Sequence, residues 1–240
     1  MSEEKPANLI STLNESPLHA DLKSWYAQPG DRLEVAVDGF IIDIVRGELL
    51  IEIQTANLSS LRKKVHTLVE DHRVRLVYPI PRDKWIVKLA EDGKSVLSRR
   101  MSPKHGQIED LFGELVRLPK LMDNANFSLD VLLTQEEEIR RYDGTRAWRR
   151  RGWVTHERRL LKVLDQKRFN TPAELGELLP PTLSEPFTTS DLAAAIARPR
   201  RLAQRMAYCL RKMDMVETVG KEGNAILYAR AHTGLESLKP

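Results

Sequence analysis

The sequence predicts an α/β chain: a central mixed sheet flanked by helices, followed by a small α+β module. Three observations carry this. One helical stretch leads into three short β-branched runs; an amphipathic helix and a further apolar strand then complete a strand–helix–strand crossover; and from Glu157 the pattern turns to short helices that end in two strands.

In order along the chain, Leu18, Leu22 and Trp25 fall at helical spacing within 16–26, and Pro29-Gly30 ends that helix. Residues 32–37, 40–46 and 49–55 read as strands, and Leu58, Leu61, Val65, Leu68 and Val69 mark a helix. The apolar run 74–80 follows, and a strand, a helix and a strand in that order place it parallel to a neighbour in the same sheet. Residues 84–89 and 95–100 bracket Asp92-Gly93 as a hairpin, before a helix over 108–118 and a strand near 127–133.

The C-terminal part begins with Leu160, Leu161, Val163 and Leu164, read as one helix. Thr171-Pro172 caps a short second helix, Thr188 or Thr189 caps a third, and Pro199 opens a fourth with Leu202, Met206, Leu210 and Met213 as its buried stripe. Two strands, 215–219 and 225–229, close the module around Gly220–Asn224.

Composition removes several classes. The 240 residues contain no apolar run near the roughly 20 that a spanning helix needs. The opening MSEEKPANLIS is acidic where a signal peptide is basic. Cys209 alone allows neither an internal disulfide nor a cysteine zinc site, and these features together lead to the expectation of a cytoplasmic protein. The six histidines are scattered, and no GxSxG, Walker A or GxGxxG occurs. Charge is divided unevenly: residues 1–145 hold 20 Lys and Arg against 24 Asp and Glu, and residues 146–240 hold 18 against 10. A basic C-terminal part points to nucleic acid or to a plain solvated face.

The chemistry is concentrated in 40–55. A two-residue loop at Gly47-Glu48, with Gly first as a type II′ turn prefers, pairs Arg46 with Leu49 and sets Asp43 opposite Glu52. Two carboxylates facing each other destabilise a sheet unless a cation lies between them. Gln54 projects on their face, while Ile42, Ile44, Ile51 and Ile53 occupy the other, so both faces look covered. Oxygen ligands with room for water suit Mg²⁺ or Mn²⁺. The bland reading is an inert sheet in which Asp43 pairs with an Arg such as Arg75 and Glu52 with a Lys.

These residues resemble the core of the PD-(D/E)XK, or restriction-endonuclease-like, nuclease superfamily, over about residues 12–80. The resemblance implies metal-dependent phosphodiester hydrolysis, with Asp43 and Glu52 as metal ligands and Gln54 where a Lys usually stands. It implies Lys63 or Lys64 as a substitute cation, and Glu15, or more weakly Glu34, as a further acid near the metal. Helices followed by a β-hairpin resemble a winged helix-turn-helix, which implies DNA contact by Arg198, Arg200, Arg201, Gln204, Arg205 and Lys212 on and around the fourth helix, and by Lys221 on the wing. Between the two modules Arg149, Arg150 and Arg151 interleave with Trp148 and Trp153, either gripping DNA or clasping the domains, with Glu136-Glu137-Glu138 as a neutralising run. The expected division is thus 1–145 nuclease-like, 146–156 linker, 157–232 winged helix and 233–240 tail, with duplex or branched DNA as partner and a homodimer open. The competing reading is a non-catalytic DNA-binding regulator on the same scaffold.

Overall fold

The computed structural model describes residues 15–231, so the acidic opening, His232 and the tail 233–240 lie outside the described residues. By internal contacts the chain divides into two compact units: one holds residues up to Ala56, His72–Gln107 and Asp130–Lys167, the other Asn57–Asp71, Ile108–Leu129 and everything from Arg168 onward. Among the described residues no helix is long and apolar enough to cross a membrane.

The first unit opens with α1 (Pro17–Tyr26), where Ser16 accepts a hydrogen bond from the His19 N–H and Pro17 occupies the first turn, where its missing N–H costs nothing. An antiparallel meander of β1 (Arg32–Val37), β2 (Phe40–Arg46) and β3 (Leu49–Ile53) follows. Arg46 pairs with Leu49, Val45 with Leu50 and Ile44 with Ile51, the register that the Gly47-Glu48 loop dictates; Gly47 supplies the left-handed φ of 57°. After α2 (Arg62–Asp71), β4 (Arg73–Leu89) runs parallel to β3 with Glu52 opposite Leu76, as the crossover pattern requires.

The two strands expected over 74–80 and 84–89 are one strand of 17 residues. The two prolines inside it, Pro79 and Pro81, are tolerated because they fall between two ladders: Arg73–Val77 pairs with β3, and Trp85–Leu89 pairs with β5 (Val96–Met101). The hairpin around Asp92-Gly93 is therefore present. Only α3 (Phe112–Leu115), preceded by a 3-10 turn, forms where a longer helix was expected. Next come β6 (Phe127–Tyr142) and β7 (Trp153–Phe169), and the seven-stranded mixed sheet has the order β1-β2-β3-β4-β6-β7, with β5 on β4.

β7 corrects the expected helix at Leu160–Leu164. The apolar residues there do not form one buried stripe: Leu161 and Leu164 are exposed, while Leu160 and Val163 pack against the core beneath α1. Four apolar residues at helical spacing occurred by chance on a strand. The segment 146–156, expected as a linker, joins β6 to β7 and supplies the first residues of β7. The core of this unit is α1 against the sheet, Leu18, Leu22 and Tyr26 meeting Ile44, Ile51, Ile53, Val77 and Leu132. Val45 and Leu50, on the opposite face, are buried as well, so both sides of the β2–β3 hairpin are covered.

The second unit carries α2, α3, α4 (Pro172–Gly176), α5 (Thr189–Ala195), α6 (Arg200–Lys212) and the hairpin β8 (Val216–Glu222) with β9 (Ala225–Arg230). Thr171 caps α4, and Thr188 with Asp191 forms a reciprocal capping box on α5. Met206, Leu210 and Met213 are buried on and just after α6 together with Ala203, Ala207 and Cys209, as the periodicity predicts.

Candidate functional site

The helix face of α1 and the strands β1 and β2 gather three carboxylates around two cations. One nitrogen of His19, Nδ1, bonds Glu15; the other, Nε2, lies 3.2 Å from Asp43 Oδ2. Asp43 Oδ2 also accepts the Ile53 N–H at 2.8 Å, which ties the carboxylate to the end of β3. Lys23 Nζ sits 2.8 Å from Glu15 and donates to Glu34 at 2.6 Å. Glu34 reaches it from a left-handed backbone, φ 52°, which a non-glycine residue adopts only when its surroundings enforce it. His19 is thus a partner of Asp43 that the sequence reading did not name.

Electrostatics follow from this packing. Burial works against a charged His19, but the hydrogen bonds and charges of Asp43 and then Glu15 outweigh it and hold its pKa up at about 9. Burial likewise works against the Glu15 carboxylate, and Lys23 and His19 together pull its pKa below the usual range. Lys23 is raised, its two carboxylate partners overcoming desolvation. The cluster thus sets three carboxyl groups around His19 and Lys23.

Glu52 is 3 % exposed, in the centre of the sheet between β2 and β4. The paired ladder of β2 and β3 ends at Ile44–Ile51, one residue short of Asp43 and Glu52, and Asp43 turns to His19 and the Ile53 N–H. Gln54 donates its side-chain N–H to the carbonyl of Ala56, and its backbone N–H bonds the Val77 carbonyl at 2.9 Å. Lys63 is exposed and Lys64 half-buried, both on α2. Among the described residues no group of three or more His, Cys, Asp or Glu side chains is placed to hold a metal ion. By donor type alone, Asp43, Glu52 and Glu15 offer the carboxylate oxygens that Mg²⁺ takes together with water. Asp43 and Glu52 would hold it, with Glu15 acting through water.

The expected DNA contacts divide into two sets. Arg149, Arg150 and Arg151 are exposed in the loop between β6 and β7, beside Trp148 at 81 % exposure. Arg200, Arg201, Gln204 and Lys221 are exposed, and Lys212 is half-buried with its ammonium 6.0 Å from the Tyr208 ring. Two of the cations serve the fold instead: Arg198 Nη2 lies 2.7 Å from Asp110, and Arg205 donates to the Gly113 carbonyl at 2.7 Å. Cys209 is no nucleophile, since burial pushes its thiol up to about 12 against the opposing charge of Arg205.

His19 and Lys23 were missed as site residues. Glu15, just ahead of the Ser16 cap, and His19 and Lys23 on α1 recur every four residues, a spacing that signals ion pairing at the start of a helix. The acidic run 136–138 is also more than a neutralising patch. Glu136 is fully buried and holds Arg158 at 2.6 Å, Glu137 meets Arg99 at 3.0 Å, and Glu138, 6 % exposed, binds Lys84 and Arg140.

A family model described as a domain of unknown function, DUF8091, matches residues 16–170, a span that begins at the cap of α1 and ends just past β7. An uncharacterized protein of Treponema pallidum (strain Nichols) is 33 % identical over 227 residues, covering 94 % of this chain and 89 % of its own length. No solved structure matches the chain. With more than half of its length under the family model, across the whole seven-stranded sheet and its first helix, the chain belongs to the DUF8091 family.

Proposed function

We propose that this is a cytoplasmic, divalent-metal-dependent DNA nuclease with a restriction-endonuclease-like sheet domain and a winged-helix module that brings it to DNA. The observation that carries the reading is the meeting of Glu15 and Asp43 on the two nitrogens of one His19, at the hairpin that also carries the buried Glu52. The order helix, antiparallel hairpin, helix and parallel strand around these acids supports it, as does the α5–α6–hairpin order of the second unit.

Bound Mg²⁺ or Mn²⁺ would supply charge stabilisation at the scissile phosphate and an activated water. The chain's own residues set the stage. The Ile53 N–H fixes the rotamer of Asp43 from the end of β3. His19, charged at neutral pH, presents one ring N–H to Glu15 and the other to Asp43 and so orients both carboxyl groups. The Gln54 amide carries no charge, so it orients water by hydrogen bonding alone.

A second reading, a DNA-binding protein without hydrolysis, is favoured by one specific feature: His19 and Lys23 already neutralise Glu15 and Asp43, and Gln54 is engaged with Ala56. Incubating duplex, single-stranded, flapped and four-way-junction DNA with Mg²⁺ or Mn²⁺, wild type beside Asp43→Asn/Glu52→Gln, separates the two. A nuclease cuts and the double variant does not; a scaffold cuts nothing, and the variant is as stable or more stable because carboxylate repulsion is relieved.

A further inference from the structure

Glu138 stands on β6 as a buried carboxylate with three cations around it. Lys84 Nζ of β4 donates to its Oε2 at 3.1 Å, and Arg140 of β6 reaches Oε1 at 2.6 and 2.7 Å through Nη2 and Nε. Arg150 Nη1, from the β6–β7 loop, lies 4.0 Å from Oε1 and donates to Thr155 Oγ1 at 2.9 Å, which in turn donates to Oε1 at 3.2 Å. Among the described residues every ion pair of these three cations goes to this one carboxylate. One negative charge against three leaves a local excess of two positive charges. Lys84 and Arg140 are largely covered and Arg150 is half exposed, so water screens the excess only in part and the open side faces outward through Arg150.

We propose that Lys84, Arg140 and Arg150, held in place by Glu138, form a binding site for the phosphodiester backbone of a nucleic-acid strand. This deepens the nuclease reading and rests on it. Two neighbouring features give the site a direction. Next to Arg150, the ring of Trp148 stands in solvent with the Arg149 guanidinium 5.1 Å from its centre, a surface on which a base can stack. Two residues before Glu138, Glu136 holds Arg158, whose Nη1 donates to the Thr55 carbonyl at 3.3 Å, one residue beyond Gln54. Arg158 thus ties β6's acidic run to the segment just after β3, where Gln54 follows Glu52. Two guanidiniums and an ammonium offer planar forks and a point charge to non-bridging oxygens, while Glu138 fixes their geometry before the ligand comes. Glu138 is a positioning residue; the three cations make the contact.

The test uses the full chain with EDTA present, so that no metal at Asp43 and Glu52 contributes. Fluorescence anisotropy follows binding of labelled single-stranded and duplex DNA 20-mers, and of an RNA of the same sequence, over a salt series. The variants are Arg150→Gln, which is half exposed and folds whatever its role, Lys84→Gln, and the pair combined. Each single variant is expected to weaken binding several-fold and to lower the slope of log affinity against log salt by about 1, and the pair by about 2. Preference for single strands over duplex supports the Trp148 stacking surface, and RNA bound as well as DNA identifies the shared phosphodiester as the ligand. Wild type and variants binding with equal slope would overturn this site and leave the DNA reading standing. No salt-sensitive binding by wild type to any of the three would overturn both.

Discussion

Two regions of the same sheet solve opposite electrostatic problems. At the α1 end, three carboxylates, Glu15, Glu34 and Asp43, are bridged by two cations, His19 and Lys23. On β6, one carboxylate, Glu138, gathers three, Lys84, Arg140 and Arg150. The first is short of positive charge by one, the second in excess by two. The contrast shows one sheet holding an anion-rich and a cation-rich cluster at once; on the proposed reading the first would meet a divalent ion and the second a nucleic-acid strand.

Breaking the comparison at its first member takes the packing of α1. Leu22→Ala should cost about 2–5 kcal/mol, the range for emptying a fully buried leucine site, because α1 carries His19 and Lys23 and is docked by Leu18, Leu22 and Tyr26. Denaturant unfolding reads this directly. At its second member, Glu138→Gln should destabilise by about 2 kcal/mol, less than the 3–5 typical of a broken buried pair because Arg150 and Lys84 are partly solvated.

The two clusters should also fail at opposite ends of the pH scale. The His19 pKa is raised to about 9 in the folded chain, so its contribution is complete below about pH 6.5 and is lost as pH climbs through 9. Glu138 is depressed to about 2, its desolvation overcome by Lys84 and Arg140, so its contribution is present above about pH 4.5 and is lost as pH falls through 2. Thermal melts across pH should lose stability on the alkaline side in wild type and not in His19→Gln, and on the acid side in wild type and less in Glu138→Gln. The smallest effect concerns the entry to α1. Ser16→Ala should cost about 0.5 kcal/mol, the low end for an N-cap, because its bond to His19 is long at 3.4 Å.

Much of the first region was legible in the sequence. Gly47 at the head of a two-residue loop sets the β2–β3 register, which is observed from Arg46–Leu49 to Ile44–Ile51. The helical spacing of Leu18 and Leu22 gives α1, and the i, i+4 series Glu15, His19, Lys23 signals the ion pairs at its start. The second region was hidden. Glu138 and Lys84 are 54 residues apart, and nothing local links them. β7 was hidden by coincidence, since Leu160, Leu161, Val163 and Leu164 mimic a helix, and its partner strand is identified only once the sheet closes around β6. Arg198 and Arg205 show the same limit: a basic helix face looks uniform in sequence, yet Asp110 and the Gly113 carbonyl claim two of its cations.

The central claim is that the carboxylates at the β2–β3 hairpin run phosphodiester hydrolysis. Its most direct test is cleavage of labelled DNA of several topologies with Mg²⁺ or Mn²⁺, comparing wild type with Asp43→Asn/Glu52→Gln. The account predicts metal-dependent cutting that falls by about 100-fold or more in the double variant, as expected when several kcal/mol of charge stabilisation are removed. Equal cutting by both proteins, or none by wild type on any substrate, would contradict it.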